Sequence, residues 1–219
     1  MISEITKEEF QNLLYKKRGF APEKIKAFTA LENSDTKIFK SGNSLIFING
    51  NEALIFGSDY KKAEILSFLK FCGVKLLGGN IKKLNLKTQK FFVLSAKAVK
   101  TEEIKQTDII SSARLFSSVF GVDFKFIYPD LCFKINHQKG FIVKSENGSC
   151  FVHTSSFGAL LTAVAVEETA RGKGEGRKLV ESTLKSFHGK VFVVAEKNLV
   201  AFYEKCGFKF LNETNQAEI

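Results

Sequence analysis

The residues with the clearest capacity for chemistry form a glycine-rich run, RGKGEGR, at positions 171–177. It follows LLTAVAV, which is long enough for a buried strand, and precedes a helical pattern with an apolar face of Leu179, Val180, Leu184 and Phe187. The glycines are therefore predicted to lie at a strand-to-helix turn. Because N–H groups at a helix start lack intrahelical partners and the helix dipole adds positive charge, such a turn suits phosphate oxygens.

The spacing of this run restricts the phosphate ligand. Arg171, Lys173 and Arg177 add cationic charge beside the turn. The Walker pattern GxxxxGK followed by Ser or Thr is absent, and the dinucleotide pattern GxGxxG is only partly matched. The pattern RxxGxG directly after a VAV strand fits instead.

A second pattern follows the glycine run. The sequence VFVVAEKNLVAFYEKCGFKFL predicts a strand, a short helix ending at Cys206-Gly207 and another strand. RxxGxG resembles motif A of the GNAT superfamily of N-acetyltransferases, and FYEKCGF resembles its motif B, FYxxxGF. The resemblance covers roughly residues 100–211. It implies an α/β protein with a mixed sheet and the GNAT-like acyl-CoA N-acyltransferase fold.

The resemblance also implies acetyl-CoA as the cofactor, held between the strand before the loop and a parallel strand that splays away from it. The implied pantetheine contacts are the backbone of Val164, Ala165 and Val166. The implied pyrophosphate contacts come from the loop, chiefly its N–H groups: Arg171, Gly172, Lys173, Gly174, Glu175, Gly176 and Arg177.

Tyr203 takes the place of the tyrosine that donates a proton to the departing thiolate. Many members have an asparagine seven residues earlier, where this chain has Glu196, while Asn198 stands five before. Asn198 is therefore expected either to orient the cofactor or to cap the helix. A thioester that acylates an amine also needs the neutral amine, so a base or a proton-accepting water is required.

Other ionisable residues give weaker candidates. Glu167, Glu168 and Glu196 are possible bases, although glutamates beside a loop are usually solvated. His137 and His153 are expected to face water or to form local hydrogen bonds, and Cys206 is expected to be buried. The four cysteines lack metal-type spacing, so we expect reduced thiols and no metal site.

The chain organisation indicates two halves, with a predicted boundary between residues 98 and 99. Residues 4–34 predict two helices, and residues 36–57 predict a three-stranded meander. Helices capped by Ser58 or Asp59 and by Thr101 are expected to follow. Three apolar runs after Pro129 resemble the first meander at an offset of 94, pairing Phe39-Lys40 with Phe133-Lys134 and Phe47-Ile48 with Phe141-Ile142. The first half is thus interpreted as a smaller α/β half, and two explanations of the similarity stay open: a degenerate GNAT-like repeat, or chance similarity between hairpins.

The chain of 219 residues carries a net charge of +10, with eleven lysines and three glutamates between Lys61 and Lys105. A solvated surface is the favoured interpretation, and a nucleic-acid footprint is the alternative. Without a signal peptide or membrane span, the protein is expected to be cytoplasmic.

Three functions stay open at this point. The first is an acetyl-CoA-dependent N-acetyltransferase that acts on a small-molecule or peptide amine in a ternary complex. The second is a catalytically silent acyl-CoA-binding or regulatory module. The third is an acetyltransferase whose amine acceptor is carried on a nucleic acid. The sequence leaves the oligomeric state open. It also has too few final residues for the hairpin that usually ends the GNAT fold, so another segment, with the N-terminal half as a candidate, or a partner is expected to cover that sheet edge.

Overall fold

The computed structural model describes residues 1–103 and 108–219. The chain divides into two compact units, of which the first comprises Met1–Phe92 with Asn212–Ile219, and the second comprises Val93–Leu211. This division lies six residues before the predicted boundary and assigns the last eight residues to the first unit. None of the helices in the described ranges is long and apolar enough to cross a membrane.

The first unit contains a mixed sheet with helices on both faces. Its elements are β1 (Ile2–Glu4), α1 (Lys7–Lys16), α2 (Ala21–Ala30), β2 (Thr36–Ser41), β3 (Ser44–Asn49), β4 (Glu52–Phe56), α3 (Lys62–Phe71), β5 (Leu76–Gly79) and a short 3-10 helix (Lys82–Leu84). The last strand, β11 (Lys209–Glu218), pairs antiparallel with β5. The strand order is β1-β2-β3-β4-β5-β11, so the two predicted helices and the predicted meander are confirmed.

Alternation along β3 explains the two apolar layers of this unit. Ile46 and Ile48 pack with the buried face of α3, including Ile65 and Leu69. Phe47 points the other way, where its ring lies 5.9 Å from that of Phe10 in α1. Because successive side chains of a strand face opposite sides, α1 and α3 cover opposite faces of the sheet.

The second unit contains β6 (Thr88–Ala98) from Val93 onward, α4 (Ile109–Phe120), α5 (Phe124–Asn136), β7 (Gly140–Ser145), β8 (Gly148–Ser155), β9 (Gly158–Val166), α6 (Glu175–Ser186), β10 (Gly189–Ala195) and α7 (Lys197–Lys205). Its strand order is β6-β10-β9-β8-β7. The meander β7-β8-β9 is antiparallel, and β10 joins β9 in parallel. This is the mixed α/β sheet that the resemblance implies.

The predicted offset of 94 between the meanders is wrong. Residues 124–136, which contain Phe133 and Lys134, form helix α5 rather than a strand. The apolar residues Phe124, Ile127, Tyr128, Leu131 and Ile135 recur at helical spacing and pack into one core cluster. The element order nevertheless repeats, because β1-α1-α2-β2-β3-β4-α3-β5 is followed by β6-α4-α5-β7-β8-β9-α6-β10.

Two predicted helix caps are also wrong. Lys61 is the N-cap of α3 and makes no side-chain capping bond, while Asp59 accepts a hydrogen bond from the Asn43 N–H at 2.9 Å. Helix α4 begins after Asp108, whose carboxylate accepts from the N–H groups of Ile110 and Ser111. Thr101 instead donates its N–H to the Lys185 carbonyl at 2.8 Å. The predicted helix also included residues 104–107, which lie outside the described residues.

Strands from distant parts of the chain cover sheet edges in both units. In the second unit, β6 lies beside β10. Strand β6 is therefore the covering segment that was expected because few residues follow the last strand. In the first unit, residues Gln216, Ala217 and Glu218 of β11 pair with β5. An uncovered strand would leave a row of backbone donors and acceptors without partners. Sequence pattern alone cannot show that β6 and β11 cover these edges, because a strand's apolar pattern does not specify its partner.

We expect the first unit to require residues 212–219. Ala217 is 3% exposed and belongs to the core beneath α3. Ala217→Asp should lower the free energy of unfolding by about 3 kcal/mol or more, because it buries a carboxylate among apolar side chains. Urea unfolding of the full chain measures this change. Glu218→Gln, at the exposed neighbouring position, is the control, and equal stability of both variants would contradict this role for β11.

Candidate functional site

The connection from β9 to α6 has the conformation that its glycines make possible. After β9 ends at Val166, a 3-10 turn (Glu168–Ala170) leads to Gly172 and Gly174, which have φ values of +75° and +86°. A Cβ atom at either glycine would meet no heavy atom within 4 Å. The glycines are therefore required by backbone conformation rather than by lack of space.

This connection leaves a row of backbone N–H groups open. The first hydrogen bond of α6 joins the Lys178 N–H to the Gly174 carbonyl at 3.1 Å, so the N–H groups of residues 175–177 precede the helical ladder. The Arg171 N–H is used by Glu168. Within the described ranges, the N–H groups of residues 172–174 have no backbone acceptor. Residues 172–177 thus form what we call the amide cradle.

Gly176 differs from the other two glycines. Its φ lies outside the left-handed region, and a Cβ there would lie 3.6 Å from Phe202 and 3.8 Å from Val166. Gly176 therefore marks where the first turn of α6 packs against the end of β9 and against α7. Of the three glycines in the run, only Gly172 and Gly174 adopt a positive φ.

An opening between β9 and β10 lies beside the amide cradle. The two strands pair in parallel only from Ala159 to Leu161 among the described residues, although β9 continues to Val166 and β10 to Ala195. The register between β8 and β9 shifts at the same point, leaving Thr162 as an extra residue on β9. Such a bulge bends a strand, so it carries the end of β9 away from β10.

The direction of the backbone groups in this opening follows from one contact. The Glu167 N–H donates to the Asn147 carbonyl on the β8 side. Because directions alternate along a strand, Ala165 faces β8 with its backbone groups, while Val164 and Val166 present theirs toward the opening. The Ala165 side chain is fully buried in the core beneath α4 and α5. The backbone groups of Val164 and the N–H of Val166 thus face the opening, while the Val166 carbonyl is used by Arg171.

The three predicted cations do not act alike. The Arg171 Nε donates to the Val166 carbonyl at 3.2 Å, and the Arg177 Nε lies 2.7 Å from Glu181 Oε1. The hydrogen bond and charge of Glu181 raise the pKa of Arg177. Lys173 is exposed and forms no ion pair in the described part of the chain. It is therefore the loop cation with the fewest internal contacts.

The turn between β7 and β8 supports the cradle, which the sequence does not predict. Glu175 turns away from the open N–H groups because its carboxylate accepts from Lys178 at 2.8 Å, and this bond together with one from Ser145 lowers its pKa. A Cβ at Gly148 would lie 2.8 Å from Leu179 and 3.0 Å from the Ala165 carbonyl. Gly148 therefore has to be a glycine for close packing. The roles of Gly148 and Thr162 become visible only in the folded structure.

Tyr203 lies on α7 with its ring 8% exposed, between the rings of Phe202 and Phe208 at 5.0 and 5.8 Å. Burial raises its pKa to about 12, with smaller contributions from Cys150 and Cys206. Among the described residues, no fully buried side-chain oxygen lacks a hydrogen-bond partner, and the Tyr203 hydroxyl forms no hydrogen bond with any of them. The hydroxyl therefore reaches accessible space.

The two buried cysteines of this unit are poor nucleophiles. The Cys150 Sγ lies 3.1 Å from the Thr183 hydroxyl, and burial raises the pKa of Cys150 to about 11. Cys206 is 6% exposed, as predicted, and burial also raises its pKa. Because the thiolate is the reactive form, both side chains serve packing at neutral pH.

The remaining candidates separate by position. Asn198 is exposed in the first turn of α7, where Glu196 is the N-cap residue without a side-chain capping bond, so Asn198 does not cap the helix. The base candidates Glu167, Glu168 and Glu196 are all exposed. His137 forms the expected local bond, from its Nδ1 to the Phe133 carbonyl at 2.8 Å. His153 is 7% exposed, so of its two expected environments water is excluded, and its ring lies 4.9 Å from that of Phe151.

Comparisons with known proteins agree with this geometry. Residues 132–210, which include the cradle and Tyr203, match the family of the acetyltransferase (GNAT) domain. This segment of the second unit is therefore similar to a GNAT acetyltransferase domain. A comparison with curated protein sequences gives no match.

Solved structures of acetyltransferases and GNAT proteins share the fold over the whole chain. A putative acetyltransferase from Pyrococcus horikoshii has a TM-score of 0.61 at 11% identity, covering 100% of this chain and 88% of its own. A GCN5-related N-acetyltransferase from Sphaerobacter thermophilus has a TM-score of 0.57 at 9% identity, covering 100% and 95%. A tandem GNAT protein from the clavulanic acid biosynthesis pathway, solved without AcCoA, has a TM-score of 0.59 at 10% identity, covering 100% and 98%. The tandem protein fits the two-half arrangement found here.

The cradle gives a direct binding prediction. Gly174→Ala places a side chain at a φ of +86°, which costs about 1–2 kcal/mol and should weaken acetyl-CoA binding by about tenfold. Isothermal titration calorimetry measures the change. Gly19→Ala is the matched control, because Gly19 also has a positive φ (+71°) and open surroundings but lies in the first unit. Equal affinities of the two variants would show that the cradle does not bind the cofactor.

Proposed function

We propose that the second unit is an acetyl-CoA-dependent N-acetyltransferase that acylates a primary amine by direct attack in a ternary complex. The observation that carries this proposal is the continuity of the amide cradle with the opening between β9 and β10. An anion site and an extended slot with free backbone groups adjoin at Val166 and Gly176, which suits a ligand with a diphosphate at one end of an amide-containing arm.

Residues of this unit would hold the cofactor mainly through the main chain. N–H groups of the cradle suit diphosphate oxygens, and Lys173 adds a cation at the same loop. Val164 and Val166 can continue a strand-like pairing with amide groups of a pantetheine arm. When bound, acetyl-CoA supplies an acetyl group activated as a thioester.

Tyr203 is proposed to assist the departure of the thiol. Two observations support a place for Tyr203 near the opening: the preceding residue, Phe202, packs at the cradle, and Cys150, which influences the Tyr203 pKa, pairs with Val164. With a pKa of about 12, the phenol stays protonated at neutral pH and can donate a hydrogen bond to sulfur. Full transfer to a thiolate of pKa ~8.5 would be uphill by roughly 5 kcal/mol, so Tyr203 acts mainly as a hydrogen-bond donor.

The acceptor must lose a proton before it attacks. An ammonium group with a pKa near 10 is neutral in only about one molecule per thousand at pH 7. The three glutamates near the site are exposed and reach bulk water. We therefore assign deprotonation of the amine to solvent or a bound water rather than to a named side chain.

The activity is tested by thiol release from acetyl-CoA over a panel of primary amines. Tyr203→Phe should lower kcat by about 10- to 100-fold with little change in acetyl-CoA affinity, because it removes a contact to the developing thiolate. The release rate should rise with pH as the amine deprotonates. It should show no loss from Tyr203 ionisation until the pH nears the Tyr203 pKa of about 12.

Tyr15→Phe, which removes an exposed phenol on α1 of the first unit, is the control and should leave kcat unchanged. If the protein binds acetyl-CoA but releases no thiol with any amine of the panel, it is the catalytically silent binding module. A Tyr203→Phe enzyme with unchanged kcat would remove the proposed role of the phenol.

A further inference from the structure

The first unit repeats the element order of the second but closes the corresponding opening. Strand β4 pairs in parallel with β5 from Glu52 to Ile55, which is nearly the full length of both strands. The ladder extends further, because the Asn80 N–H donates to the Ile55 carbonyl at 2.8 Å. A Cβ at Gly79 would lie only 2.3 Å from that carbonyl oxygen. No slot opens between these two strands as it does between β9 and β10.

The loop from β4 to α3 is filled by its own side chains. The Tyr60 hydroxyl donates to the Asn80 carbonyl at 2.7 Å, joining the loop to the end of β5. The Asp59 N–H donates to the Ser44 hydroxyl at 2.8 Å, and the Asp59 carboxylate accepts from the Asn43 N–H at 2.9 Å. The loop therefore carries a carboxylate at the place where the second unit has open N–H groups, and this charge repels phosphate.

The first unit also lacks a tyrosine at the position that corresponds to Tyr203. Where α7 follows β10 in the second unit, only the 3-10 helix Lys82–Leu84 follows β5 in the first. Its residues are two lysines and a leucine, so no side chain corresponds to Tyr203. Three independent features thus separate the units: the slot, the cradle and the phenol.

We infer that the chain binds one acyl-CoA, in the second unit, and that Asp59 and Tyr60 seal the first unit against a second molecule. This inference rests on the proposed function. It assigns Asp59 as an internal carboxylate in the place of a ligand phosphate and Tyr60 as the residue that closes the end of the strand pair.

Calorimetric stoichiometry of the full chain tests the inference. The wild-type protein should bind acetyl-CoA with a ratio of one per chain. Gly174→Asp should abolish binding, because it gives the second unit a carboxylate like that of Asp59 at a position where aspartate tolerates a positive φ. A thermal melt checks that this variant stays folded.

The outcomes separate the two proposals. Two sites in the wild type, or one site that survives in Gly174→Asp, would overturn the sealing of the first unit alone. Absence of binding by the wild type would overturn the proposed function instead.

A different observation concerns the surface charge of the first unit. Residues 61–90 contain eight lysines and one glutamate, whereas the other residues of this unit contain eight lysines and arginines and ten acidic residues. All eight lysines are exposed. Lys90 pairs with Glu213 at 3.0 Å, and Lys83 donates to the Ser58 carbonyl. The positive charge of the unit is therefore concentrated on α3, the 3-10 helix, the start of β6 and the adjoining loops, which we call the lysine face.

The lysine face also presents an aromatic ring. Phe71, at the end of α3, is 90% exposed and stands beside the exposed Lys70. Lys61 and Lys62 lie at the other end of α3, about 15 Å away for a ten-residue helix. A row of cations with an accessible ring matches a phosphate backbone with unstacked bases, since bases stack on aromatic side chains while lysines neutralise phosphates.

We propose that the lysine face docks single-stranded nucleic acid. Fluorescence anisotropy of the full-length protein with labelled single-stranded RNA at several salt concentrations tests this. The double variant Lys70→Glu with Lys75→Glu should raise Kd by at least about tenfold. It should also reduce the slope of log affinity against log salt concentration by the equivalent of about two phosphate contacts. Phe71→Ser should raise Kd with the salt dependence unchanged.

The matched control is Lys7→Glu with Lys16→Glu on α1, which makes the same charge change on the opposite face of the sheet. Retained affinity in the control supports the lysine face. Equal weakening by both double variants, no binding by the wild type, or equally tight binding to anionic phospholipid vesicles would overturn nucleic-acid docking.

Discussion

The site depends on one constraint in the second unit: β9 must stay paired with β8 while it leaves β10. The bulge at Thr162 achieves this, because the extra residue bends β9 just where its parallel pairing with Val193 ends. The separated strand then carries Val166 to the point where the loop begins. Without that separation, the open N–H groups of the loop would be a simple anion site with no adjoining slot.

Comparison of the two units shows what this constraint contributes. Both use a parallel strand, a crossover helix and a second parallel strand, and both bury apolar residues on the two faces of the sheet. In the first unit the ladder runs to Ile55 and the loop is held by Ser44, Asp59 and Tyr60. The same architecture can therefore be either an open site or a closed structural unit, depending on a few residues at the strand ends.

The sequence predicts the parts of the site that depend on local chemistry. Gly172 and Gly174 are predictable because only glycine adopts their conformation cheaply. Tyr203 is a candidate only through the resemblance of FYEKCGF to the GNAT motif B. The roles of Thr162, Asn147 and Gly148 cannot be predicted from the sequence, since they come from strand pairing and close packing. The sequence analysis does not predict the helix at residues 124–136, because its short apolar runs also fit strands. The assignment of β6 and β11 to their units has no local sequence signal.

The most direct test of the central claim is the response of individual amides to acetyl-CoA. In a nitrogen-edited NMR titration of the full chain, the account predicts that the amide signals of Gly172, Gly174 and Gly176 shift strongly. The signal of Gly50, in a turn of the first unit, should stay in place. Unchanged signals for residues 172–177 at saturating acetyl-CoA would contradict the account.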